Sequence, residues 1–127
     1  MIQKGTILKV VDNSGAKKAS CIHLYKGYRK RYAQIGDVIK VAIKRTRKKN
    51  SEFLKIKKGD TSKAVVVSVK NFQNCFDGSL TKSNLNGIVL ISDQNKYLGT
   101  RVFSPLDNRL RYTRYLRLLS LAGGVIY

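Results

Sequence analysis

The nine residues Asp37-Val38-Ile39-Lys40-Val41-Ala42-Ile43-Lys44-Arg45 alternate with period two. Ile39, Val41 and Ile43 share one face, while Lys40 and Lys44 lie on the other with Val38 and Ala42. Successive side chains of a strand point to opposite faces of its sheet, so this stretch reads as a β-strand with one apolar side. The same period recurs outward from it. Thr6 to Val11 is apolar except for Lys9 and closes on Asp12-Asn13-Ser14-Gly15, a run with turn chemistry. Ala19 to Tyr25 alternates more loosely. Lys63 to Val69 is β-branched and nearly continuous, which predicts a central strand buried on both faces, and Gly87 to Ile91 reads the same way. Asp77-Gly78 signals a hairpin between Val69 and Ile88, and Thr100 to Phe103 reads as a short strand. Short strands separated by Gly, Asn and Asp turns predict a mainly β fold, a small closed antiparallel barrel.

The last quarter of the chain changes character. Ser104-Pro105-Leu106-Asp107 offers an N-cap Ser, Pro at the first helical position and an acid at the third. Leu106 and Leu110 stand four apart, Tyr112 to Leu121 lacks Gly and Pro, and Gly123-Gly124 provides a stop. One or two short helices are expected here. Residues 45–58 mix charge with little period and predict a protruding loop or ribbon tip. No internal repeat or linker divides the chain. Residues 1–127 are expected to form one domain, with the barrel and ribbon over about 1–103 and the helical segment over about 104–127.

Composition limits what such a barrel can do. Of 127 residues, 26 are Lys or Arg and seven are Asp or Glu, a formal net charge of +19. Hydrophobic residues still make up 43%, so the charge decorates a folded unit. Self-repulsion of this size opposes folding, and a polyanion bound most of the time accounts for it. Nucleic acid is the commonest such partner, with an anionic membrane surface as the competitor. Apolar runs such as Ala64 to Val67 are far too short to span a bilayer, and the start has no run of signal-peptide length, so the protein is expected to work where it is made. One His and two Cys 54 positions apart speak against zinc cages, CxxC motifs and a disulfide framework. The acids are scattered in turn-like contexts, and phosphate-loop and nucleophile-elbow motifs are absent. No catalytic residue, cofactor or metal is expected.

Three basic sets stand out. Lys26-Gly27-Tyr28-Arg29-Lys30-Arg31-Tyr32 combines cations suited to phosphate with tyrosines able to stack on an unpaired base. A solvated loop whose tyrosines cap the core is the plain alternative, and the net charge favours RNA contact. Lys44, Arg45, Arg47, Lys48, Lys49, Lys55, Lys57 and Lys58 are opposed only by Glu52. Laid along a phosphate backbone, such a run releases counterions and recognises shape with little base reading. Arg101, Arg109, Arg111, Arg114 and Arg117 form a looser set, divided between RNA or protein contact and snorkelling over Tyr and Leu.

Five segments, Val10 to Ile22 (VVDNSGAKKASCI), Lys30 to Lys44 (KRYAQIGDVIKVAIK), Ile56 to Val67 (IKKGDTSKAVVV), Leu98 to Pro105 (LGTRVFSP) and Ser120 to Val125 (SLAGGV), occur in one order across Met1 to Tyr127. Together they closely resemble the bacterial-type ribosomal protein L-fourteen family of the large subunit. The resemblance implies a five-stranded β-barrel with a basic β-ribbon and short C-terminal helices, and no enzyme activity. It implies binding to large-subunit rRNA, a neighbouring protein of the L-nineteen type, a bridge to small-subunit rRNA and docking of a ribosome-silencing factor. By the same resemblance Asn13, Ser14, Lys17 and Lys18 match the family's rRNA-binding turn, Arg31 and Tyr32 match its RRYA, and Thr100 and Arg101 lie on the partner-facing side. Arg29, Lys30 and the ribbon cations join the expected rRNA contacts, and Arg114 joins the partner-facing set. The chain departs from the family in a longer 45–56 loop, in Asn108-Arg109-Leu110-Arg111 and in Gly123-Gly124.

Seventeen Lys, ten Ile, eight Asn and seven Tyr beside one Pro is the bias of an AT-rich coding sequence. It favours an organelle-encoded protein, mitochondrial before plastid, with a bacterial cytoplasmic one as the alternative. The expected function is a structural rRNA-binding component of the large ribosomal subunit. A free single-stranded nucleic-acid binding barrel is the runner-up and requires exposed aromatics on one sheet face; an enzyme is a remote third.

Overall fold

Alternating apolar residues need a second layer to bury them, and this chain supplies it by closing a sheet on itself. The structure is a computed structural model and describes residues 2–25, 27, 30–47 and 56–126. In chain order its elements are β1 (Ile7–Val10), β2 (Ala16–Leu24), β3 (Val38–Thr46), β4 (Thr61–Ser68), β5 (Gln73–Asn74), β6 (Leu80–Thr81), β7 (Gly87–Ile91) and β8 (Leu106–Asp107), then a 3-10 helix (Asn108–Tyr112), α1 (Arg117–Leu121) and β9 (Val125–Ile126). Strands β1, β2, β3, β4 and β7 close the expected five-stranded barrel. Four of its seams are antiparallel. The closing seam is parallel, pairing Lys9 with Gly87 and Val10 with Ile88. A parallel pair needs a long crossover, and the whole chain between β1 and β7 provides one.

Inward-facing Leu8, Val10, Ile39, Val41, Ile43, Ala64, Val66, Ile88 and Leu90 fill the barrel. Val65, Val67, Val89 and Ile91 face outward from β4 and β7, where Val102, Leu106, Leu110 and Leu118 of the C-terminal segment cover them. Both strands are therefore buried on both sides, as their unbroken apolar runs predict.

Several local expectations are corrected. Leu106 and Asp107 do not open a helix. Leu106 donates its N–H to the Gly124 carbonyl at 3.0 Å, and β8 pairs in parallel with β9. The 3-10 helix begins one residue later with Asp107, not Ser104, as its cap, the carboxylate accepting from the Arg109 N–H at 2.9 Å. Thr100 to Phe103 forms only isolated bridges at Val102, to Asp12 and Ala122, because two different neighbours compete for its short backbone. The Asp77-Gly78 turn is more local than expected and closes the small β5–β6 hairpin. Gly78 takes φ +85°, and the Asp77 carboxylate accepts from the Ser79 N–H at 2.9 Å. The ribbon stem is present, with the Ile43 N–H donating to the Asp60 carbonyl and the Gly59 N–H to the Ile43 carbonyl, both at 2.8 Å. The expected ribbon tip at Lys48, Lys49 and Lys55 lies outside the described residues, as does Arg29.

Candidate nucleic-acid interface

Among the described residues the outer face of β1, β2 and β3 has no apolar cover, and its register decides what it presents. Lys9 pairs with Lys18, and Lys18 pairs in turn with Arg45, so three cations stand side by side across three strands. All three are exposed. Like charges directly opposite each other on a sheet repel, so this row is unfavourable in the isolated protein. Register shifts flank Lys18 on its seam with β3, and Lys17 and Lys18 are both left exposed as a result.

Two shallow concavities extend the row. One, of about 240 Å³, is lined by Lys9, Lys17, Lys18 and Lys70 with Ile7, Leu8, Leu85 and Asn86. The other, of about 850 Å³, runs down the ribbon stem and is lined by Lys9, Lys17, Lys44, Arg45, Arg47 and Lys58 with Val10 and Thr46. They share Lys9 and Lys17, and among the described residues no acid lines either. The expected rRNA residues Lys17, Lys18, Lys44, Arg45, Arg47 and Lys58 are thus brought into one tract. Lys57 is exposed at its edge, one residue before Lys58. Lys9 and Lys70 complete the tract and were not singled out by the sequence, where each is a lone cation; only strand register and the closing seam reveal them.

The Asp12–Gly15 turn anchors this wall to the segment around Thr100 and Arg101. Asp12 is buried, and its carboxylate accepts from the Leu90 N–H at 3.0 Å, the Ser14 N–H at 3.2 Å and the Ser14 hydroxyl. Burial pushes its carboxyl above the ordinary range, with those hydrogen bonds and the Arg47 charge opposing the shift. Asn13 Oδ1 accepts from the Thr100 N–H at 2.7 Å and the Arg101 N–H at 3.2 Å, while Nδ2 donates to Thr100 Oγ1 at 2.8 Å. Gly99 makes this approach possible, since a Cβ there would lie 2.7 Å from Asn13 Oδ1. The polar groups of Asn13 and Ser14 are spent on shaping the turn. Arg47 joins the same corner, its guanidinium 5.1 Å from the centroid of the exposed Phe103 ring.

The other expected residues sit apart from the tract. Lys30, Arg31 and Tyr32 belong to the connection between β2 and β3, at the end of those strands away from the ribbon stem. Lys30 pairs with the buried Asp37 carboxylate, which also accepts from the Gln34 N–H at 2.9 Å, whereas Arg31 and Tyr32 are exposed. Thr100, Arg101 and Arg114 are exposed. Arg109 turns inward and donates to Gln73 Oε1 at 2.8 Å, tying the hairpin to the C-terminal segment. No barrel strand carries Phe, Tyr or Trp, so the stacking platform of a single-strand binding barrel is missing from the sheet.

A closed barrel with one wall plated in exposed cations, and no aromatic platform on its strands, has a surface suited to phosphate backbone. The chain belongs to the family described as ribosomal protein L14p/L23e, which it matches over residues 1–126. It is a structural protein of the ribosome that binds rRNA.

Proposed function

We propose that this chain, acting as one unit over residues 1–127, is a large-subunit component that lies on large-subunit rRNA through the wall of β1, β2 and β3. The carrying observation is the Lys9–Lys18–Arg45 row, set beside concavities that no acid among the described residues lines. Lys17, Lys44, Arg47, Lys57 and Lys58 extend the contact down the ribbon, with Lys48, Lys49 and Lys55 continuing it. Arg29, Arg31 and Tyr32 form a separate contact on the β2–β3 connection, and Lys30 stiffens that connection through Asp37. Thr100 and Arg101, fixed by Asn13, face the small subunit with Arg114. There they contribute to a bridge with small-subunit rRNA and form the docking side for a silencing factor. A neighbouring protein of the L-nineteen type packs alongside. The residue bias of the sequence favours the mitochondrial ribosome as its home.

Cosedimentation with large subunits through a salt-washed gradient tests the assignment, and recovery of the protein only in free fractions would refute it. Replacing Lys48, Lys49, Lys57 and Lys58 with Gln is expected to lower both rRNA affinity and the steepness of its salt dependence. Arg101→Glu is expected to impair subunit joining or factor docking with the fold intact; normal joining and docking would reject the partner-facing role.

A further inference from the structure

We propose that the far end of the same wall carries a second attachment for RNA backbone, a strip made by His23, Lys40 and Lys63 with Tyr25 beside it. The proposal rests on the rRNA-binding reading and adds a second strand of RNA to it. His23 pairs with Lys40, and Lys40 pairs with Lys63, so these side chains form a row across β2, β3 and β4. At about 4.8 Å between neighbouring strands the row is about 10 Å wide. His23 and Lys40 are exposed and Lys63 is half-buried. Lys63 Nζ stands 5.7 Å from the Tyr25 ring centroid, and the His23 ring meets the same tyrosine edge-on, with centroids 5.4 Å apart and planes at 88°. The ammonium is thus held at the surface against an aromatic ring, and among the described residues no carboxylate pairs with Lys40 or Lys63.

Between this row and the Lys9–Lys18–Arg45 row lies an uncharged floor, Ile7 paired with Ser20, Ser20 with Ala42 and Ala42 with Thr61. Lys18 and His23 are five positions apart on β2, about 16 Å along the strand. A membrane presents a continuous plane of charge and would be met by cations spread evenly. Two discrete rows separated by an uncharged floor instead match two separate polyanionic strands, each crossing the barrel strands. Both rows set like charges directly opposite one another, which weakens the free fold and is relieved when phosphates lie between them.

Binding of the full-length chain to a 20-nucleotide oligouridylate, measured across a salt series, tests the strip. Lys40→Gln/Lys63→Gln is expected to reduce the slope of log affinity against log salt by about 1.4, two phosphates at about 0.7 each for single strands. Its thermal midpoint is expected to equal or exceed that of the wild type. Lys40→Arg/Lys63→Arg, which keeps the charge, is expected to retain the wild-type slope. A full slope in the Gln variant, with a reduced slope in Lys9→Gln/Lys18→Gln, would overturn the second strip and leave the first wall in place. Full slopes in both Gln variants would overturn the rRNA reading itself. A loss in the Arg variant as large as in the Gln variant would show that the row acts through packing, overturning the strip. Lost binding to vesicles of phosphatidylserine and phosphatidylcholine, with RNA binding unchanged, would assign the row to a membrane and also overturn it.

Discussion

Two walls of one barrel share an interior and differ only in what faces outward. On β4 and β7 the outward residues past Lys63 are Val65, Val67, Val89 and Ile91, sealed beneath Leu106, Leu110 and Leu118. On β2 and β3 they are Lys18, Ser20, Ala42, Lys40 and Arg45, with no layer of described residues over them. The apolar alternation of the inner faces is enough to close the barrel. The outer faces differ in their cover: the chain's own C-terminal segment lies on one wall, and on the other, by the proposed reading, a polyanion. One wall contributes stability, and the like-charge rows of the other give up some of it.

Breaking the covered wall should have the largest effect. Leu118 is fully buried against the outward valines. Leu118→Ala removes apolar contacts and leaves a cavity, so a loss of about 2–5 kcal/mol is expected in chemical denaturation. The salt slope for RNA should stay at the wild-type value in the folded fraction. A fall in slope without loss of stability would mean that the two walls are not separable.

Next in size is the hinge between the walls. The Asp12 carboxylate joins the β1 turn to β7 through Leu90, and both its oxygens accept hydrogen bonds. Asp12→Asn must turn an NH₂ group toward one of those donors, and a cost of about 1–3 kcal/mol is expected. The cost should depend on pH in a defined sense. Burial holds the folded carboxyl above its ordinary value of 3.8, so its contribution is complete below the unfolded pKa and declines as pH rises through the folded one. The asparagine does not titrate. The stability gap between wild type and variant should therefore narrow as pH rises from about 4. A gap that widens instead would show that hydrogen bonds to the carboxylate outweigh its burial.

Asn13→Ala should cost less, about 1–2 kcal/mol, because the hydrogen bonds it breaks lie at an exposed site where water replaces them. Its sharper signature is faster amide hydrogen exchange at Thr100 and Arg101 than at Leu90. Equal exchange at all three would mean that the turn does not hold the Thr100–Arg101 segment.

How far these walls could be read in the sequence follows from the range of the interactions that build them. Burial of β4 and β7 on both faces was legible because Ala64 to Val67 and Ile88 to Ile91 record it in consecutive letters. The ribbon cations were legible because they are neighbours in the chain. The Lys9–Lys18–Arg45 row was not, since pairing brings together residues far apart in sequence and a slip of one would send each side chain to the opposite face. Lys40 was correctly placed on the outward face of β3, yet its rank beside His23 and Lys63 needs two further registers. Ser104-Pro105-Leu106-Asp107 satisfies the local rules for a helix start, and a distant acceptor, the Gly124 carbonyl, overrides them. Asn13 carried a turn signal, but its grip on Thr100 and Arg101 spans 87 residues.

The smallest effect expected is also the one that separates the walls most cleanly, because its two readouts move in opposite directions. Lys18 stands between Lys9 and Arg45, so Lys18→Gln removes two like-charge contacts at once while keeping a polar side chain. Each directly opposed pair of like charges costs some fraction of about 0.2–1 kcal/mol, and the variant should be slightly more stable than the wild type at low ionic strength. Added salt already screens that repulsion, over about 8 Å at physiological strength, so the gain should shrink as salt rises. Binding to rRNA should weaken over the same range, with the salt slope reduced by about 0.7–0.9 for one phosphate contact. At Val65, Val67, Val89 and Ile91 of the covered wall no substitution can do this, since those side chains owe their stability to apolar contact. If Lys18→Gln lost stability and kept its RNA affinity, the row would be packing rather than interface, and the contrast between the two walls would fail.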